Sequence, residues 1–160
     1  MAQLAPLRIQ KVTEPQAHLI AAHDWLKGMD VLAGSKPLAL RAFIHLSGQA
    51  VESLLAAFIL TRAKGAQRRV TKTHDLVAMW RCAAGQGLGV PASPPDWLVQ
   101  LALGHIGPFL VRYQAVKAAN GTTAFVHGMG NPSPAVLHAA VAQLEAVVRP
   151  FIEEFQAANG

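Results

Sequence analysis

The sequence predicts an all-α fold, a four- or five-helix up-and-down bundle. Three observations carry this. Apolar residues recur at steps of three and four through five successive segments. No stretch alternates strongly enough to read as a strand, and no internal repeat is present. The segments are joined by short or medium links rich in Gly, Pro and Ser, which in helical proteins place neighbours antiparallel. At 160 residues, 52% hydrophobic and 14% charged, the chain is one globular domain with a sizeable core. The expected boundaries are an arm over 1–14 and a single domain over 15–158.

In order, residues 1–13 have little periodicity. Pro15 opens a helical pattern, with Thr13 or Glu14 as cap, and Leu19, Ile20, Trp25, Leu26, Met29, Val31 and Leu32 carry it to Gly34. His18, His23 and Asp24 lie on it. Two histidines five apart lack the four-residue step that sets two ligands on one helix face, so they read as half-exposed residues.

Residues 37–64 form the most apolar helix, with Pro37 in its first turn and Gly65 past its end. Arg41, His45, Gln49 and Glu52 share a face within about 80°. A polar stripe on a mostly buried helix is the least ordinary feature of the sequence. Residues 62–72 follow with five basic side chains and no acidic one, a solvated connector or a phosphate-contacting segment.

A third helix is expected from Lys72 to about Ala84, with Thr73 as N-cap and Asp75 in the first turn, leaving His74 unexplained. Residues 85–96 read as a linker. Ser93 or Asp96 caps a fourth helix over about 94–119, with a break near Pro108 that sets His105, Arg112 and Tyr113 around an irregularity. Residues 120–134 read as a long loop. Their Gly-Met-Gly has no preceding strand and is no phosphate signature. Ser133 caps a last helix from Pro134 to about Ala157, bent near Pro150.

Net charge is +5 and is concentrated centrally: residues 36–117 hold ten basic and three acidic side chains. Such a region attracts nucleic acid or an acidic partner, although no aromatic series is interleaved for base stacking. The lone Cys82 excludes an intrachain disulfide and a Cys-based zinc site, and fits a reducing, cytoplasmic setting. The longest strictly apolar run and the N-terminus suggest neither a membrane span nor a secretory signal. No metal-ligating cluster and no cofactor motif stand out. A Ser-His-Asp arrangement is not visible, and nothing near Cys82 would activate its thiol.

Four pieces resemble one family. They are Ala21–Leu32 (AAHDWLKGMDVL), His45–Leu55 (HLSGQAVESLL), Lys72–Leu76 (KTHDL) and Phe109–Tyr113 (FLVRY). In this order and spacing the chain resembles HEPN domains, the nucleotide-binding helical bundles of higher eukaryotes and prokaryotes, over roughly residues 15–150. The resemblance implies a bundle, commonly a homodimer, that acts as a ribonuclease, as a nucleotide- or RNA-binding module, or as the partner of a nucleotidyltransferase-type protein in a toxin–antitoxin pair. The short apolar runs, rather than the resemblance, give the expectation of no membrane association. Nuclease members leave four to six residues between their arginine and a histidine. After Arg112 no histidine stands at 117–119, and the next is His127.

The resemblance therefore implies a non-catalytic module, with Arg112, Tyr113 and His74 at its ligand site. Gln49, Glu52, Thr73 and Asp75 would form a supporting polar network. Arg112 is equally explained as an internal partner of Glu52 or Asp75. The alternative is a metal-independent ribonuclease using Arg112 with a non-motif histidine, His105 or His127, and Lys117.

Overall fold

In the computed structural model, residues 11–105, 115–117, 123–125 and 132–159 are described. Their fold is an all-α bundle. The central helix, α2 (Leu40–Arg62), is apolar around most of its girth, so it must be covered on several sides. Phe43, Ala50, Val51, Leu54, Leu55, Phe58 and Ile59 are fully buried on it. Helix α1 (Glu14–Ala33) packs along it through Leu19, Ala22, Leu26 and Met29. The long C-terminal helix α5 (Pro134–Asn159) covers a second side through Leu137, Val141, Leu144, Val148 and Ile152. Phe58 meets Phe151 edge-on at 5.0 Å, locking α2 to α5. Two shorter helices, α3 (Leu76–Gly85) and α4 (Asp96–His105), close the remaining flank.

Local signals explain most boundaries. Thr13 precedes α1 and Pro15 lies in its first turn. Thr13 spends its hydroxyl on Gln156 at 2.7 Å, which ties the start of α1 to the end of α5. The Ser133 hydroxyl accepts from the Val136 amide at 3.3 Å and caps α5, as expected from sequence. Helix α5 runs on past Pro150 to Asn159.

Several expectations are corrected. Helix α2 begins at Leu40 rather than in the turn of Pro37. The basic connector is not featureless: Gly65–Lys72 is a 3₁₀-helix. Thr73 does not cap α3. Its hydroxyl donates back to the Val70 carbonyl at 2.8 Å, closing the 3₁₀-helix instead. The cap is Asp75, whose Oδ1 accepts from the Ala78 amide at 2.9 Å, so α3 starts at Leu76 and not at Lys72. The fourth helix does not fill the expected 94–119 span. It is described over Asp96–His105, and Ala115–Lys117 is extended, paired antiparallel with Thr123–Phe125, a segment that reads from sequence as part of a loop. Thr123 and Phe125 bring β-formers to that ladder, too briefly for periodicity to register. The expected break at Pro108 and residues 1–10 of the expected 1–14 arm lie outside the described residues, and Glu14 already belongs to α1.

Among the described residues, two helices, α2 and α5, are long and apolar enough to cross a membrane by length and composition. In α2, 72% of the apolar window is buried against other helices, which accounts for its hydropathy as a core helix. In α5 the figure is 28%, and its buried residues fall on one stripe against α1 and α2.

Candidate functional site: a glutamate between two histidines

The stripe on α2 leads to the main polar cluster. Arg41 is exposed at the helix start, His45 and Gln49 are half-buried, and Glu52 faces inward. Each Glu52 carboxylate oxygen accepts from a different histidine. His74 Nδ1 donates to Oε1 at 2.9 Å, and His105 Nε2 donates to Oε2 at 2.6 Å. Burial alone would push the Glu52 carboxyl up. The hydrogen bonds and charges of His105 and His74 outweigh that and hold it below the ordinary carboxylate value.

Three segments build this arrangement. Glu52 sits mid-helix on α2. His74 is the single residue between Thr73, where the 3₁₀-helix bonding ends, and the Asp75 cap. There the chain turns sharply and His74 takes a left-handed φ of 58°. Histidine tolerates that conformation better than a β-branched residue would. His105 is the last residue of α4, and its ring presses on α2 at Gly48, where a Cβ would come within 2.5 Å of Nδ1. The glycine gives the imidazole its place beside the helix.

The side chains grade from closed to open: His105 is 5% exposed, Glu52 15% and His74 58%. The sequence sets His105 at an exposed irregularity. It is buried, with its Nε2 committed to Glu52, because the end of α4 docks on α2 rather than projecting from it. The expected network is likewise redrawn. Thr73 and Asp75 bond within their own turn, at 3.3 Å from the Asp75 amide to the Thr73 hydroxyl. Among the described residues, Gln49 makes no hydrogen bond to either. The partners of Glu52 are the two histidines. Arg112, Tyr113 and His127 lie outside the described residues.

Sequence spacing could not show the His105–Glu52 pair, whose members stand 53 residues apart. It named both residues but assigned them to separate roles. The one local signal was Gly48, a poor helix former placed mid-helix without an evident local reason. The sequence also showed no metal-ligating cluster, whereas folding brings one donor atom each from Glu52, His74 and His105 within 4.8 Å of one another.

Other polar features are simpler. His138 bonds Asp30 at 2.5 Å and joins α5 to α1 at the surface. His23 lies 3.4 Å from Glu145, and Lys27 pairs loosely with Asp24. Burial pushes the Cys82 thiol up, against use as a nucleophile at neutral pH. An apolar cleft lined by Trp80, Pro91, Trp97, Leu144 and Val147 holds no titratable side chain among the described residues.

Along the surface next to His74 runs the basic 3₁₀-helix. Arg68 pairs with Glu14 of α1. Lys64, Arg69 and Lys72 are exposed, and among the described residues no acid pairs with them. Arg62, at the end of α2, lies over the rings of Phe58 and Phe151 at 5.6 and 5.2 Å.

No family model, curated protein or solved structure matches the chain.

Proposed function

We propose that the chain is a HEPN-like helical module that is non-catalytic, dimerises and binds a nucleotide- or RNA-type anion. The observation that carries this is the row Lys64, Arg69 and Lys72, exposed, without acidic partners among the described residues, and ending beside His74. Such a row offers phosphates three cations on a short, fixed scaffold. The HEPN resemblance supplies Arg112 and Tyr113 at the ligand site and a homodimer, and the lone Cys82 adds a reducing, cytoplasmic setting. The burial of His105 and its bond to Glu52 support a binding role over ribonuclease chemistry, because a general base must reach its substrate proton. The Arg112 spacing, without a histidine at 117–119, points the same way.

Fluorescence anisotropy with a labelled single-stranded RNA tests this. Binding should weaken as salt rises, with a log–log slope of about −0.7 per phosphate contact. Replacing Arg69 and Lys72 together by Ala should reduce affinity several-fold, and the RNA should remain intact on a gel. No anisotropy change at low salt would remove the binding reading. Cleavage lost in Arg112→Ala would replace it with the ribonuclease one. Light scattering reads the dimer.

A further inference from the structure

Glu52, His74 and His105 have more capacity than a hydrogen-bonded bracket uses. We propose that they form a binding site for one zinc-class divalent cation, with Glu52 Oε, His74 Nδ1 and His105 Nε2 as protein ligands and solvent completing the sphere. This inference is independent of RNA binding and stands or falls by itself.

The donor set fits. Two imidazoles and one carboxylate are ligand types that zinc and its first-row neighbours accept. A tetrahedral ion with bonds of about 2.0–2.1 Å sets its ligand atoms roughly 3.3 Å apart. The three donors already lie within 4.8 Å of one another, with both nitrogens 2.6–2.9 Å from the carboxylate. Admitting the ion needs the close nitrogen–oxygen pairs to open by about half an ångström and the widest pair, up to 4.8 Å, to close by as much as about 1.5 Å, which side-chain rotation can supply. The ligands come from three separate segments: α2, the turn before α3 and the end of α4. One ion would therefore cross-link the flank of the bundle.

The supports are rigid where a metal site needs them rigid. The His105 ring is wedged against Gly48, which fixes its direction. His74 is held between the 3₁₀-helix and the Asp75 cap. The site is closed on the His105 side and open on the His74 side, which provides entry and room for water. Proton accounting is simple. Without the ion, each histidine donates its ligating N–H to the carboxylate. With it, each coordinates as neutral imidazole and its proton sits on the other ring nitrogen. A carboxylate and two neutral imidazoles carry one negative charge, which a divalent cation converts to one positive.

The test uses the full, tag-free chain stripped with chelator, then titrated with Co²⁺ and Zn²⁺. The expected result is saturation at one Co²⁺ per chain, with the visible absorption of a four- or five-coordinate ion, displacement by Zn²⁺, and a raised melting temperature. His74→Ala, at an exposed position, should weaken binding at least about tenfold while the far-ultraviolet circular dichroism stays helical. Glu52→Gln should do the same. His138→Ala and His23→Ala should bind as the parent does. Absence of saturable binding up to about 1 mM, or binding that His74→Ala leaves unchanged, would overturn the proposal. The second outcome would assign the ion to surface histidines. If Glu52→Gln does not fold, His74→Ala alone decides.

Discussion

The imidazole of His105 occupies the space a side chain at position 48 would fill, since a Cβ on Gly48 would lie 2.5 Å from its Nδ1. Glycine is normally a cost inside a helix, and replacing it with alanine gains about 1 kcal/mol. Here the added methyl would meet a buried ring already held by Glu52. Gly48→Ala should therefore destabilise the protein by roughly 1–3 kcal/mol in urea unfolding. Gly28→Ala is the control. Its Cβ would meet the Cδ1 end of Leu46 at 2.9 Å, a flexible tip that can move, so the variant should be neutral or slightly more stable. Equal effects at the two positions would contradict this reading of Gly48.

The lowered Glu52 value has a definite sign. In the pH interval between that value and the ordinary 4.5, the unfolded chain binds the proton and the folded chain does not. Stability from the ionised carboxylate is thus complete above the ordinary value and is lost as pH falls through the folded one. Unfolding free energies measured across pH 3–7 should show the gap between parent and Glu52→Gln narrowing below about pH 4.5. A gap constant with pH would mean that Glu52 contributes only by packing.

His74 separates backbone from side-chain effects. At a φ of 58°, glycine is unstrained and valine is not. His74→Gly should lose only the exposed bond to Glu52, about 1 kcal/mol or less. His74→Val should lose that and about 1–3 kcal/mol more from the forced conformation. Thermal melts of the two variants should differ in that order.

The linker after α3 is fastened by Trp80, whose Nε1 donates to the Pro91 carbonyl at 2.8 Å while its ring meets Trp97 edge-on at 6.1 Å. Trp80→Phe keeps most of the ring and removes the donor. It should cost about 1–2 kcal/mol and increase amide exchange in residues 86–95. Unchanged exchange would show that packing alone holds the linker.

By itself, the sequence determined the bundle. Apolar spacing in α1, α2 and α5 is local and repeated over five turns or more, so one face of each had to be buried whatever the partners. The Ser133 cap and the Gly34 stop were equally legible, because both act within one turn. Competition between neighbours was harder to read: Thr73 and Asp75 are both good caps, and only the bonding of Thr73 to Val70 left the helix start to Asp75. Tertiary structure alone decided the site. Glu52, His74 and His105 carry no mutual spacing signal. They meet because α4 ends against Gly48 and the turn before α3 brings His74 back over α2. Helix periodicity records which face is buried, not which distant polar group will lie opposite it, and that pairing depends on how three elements dock.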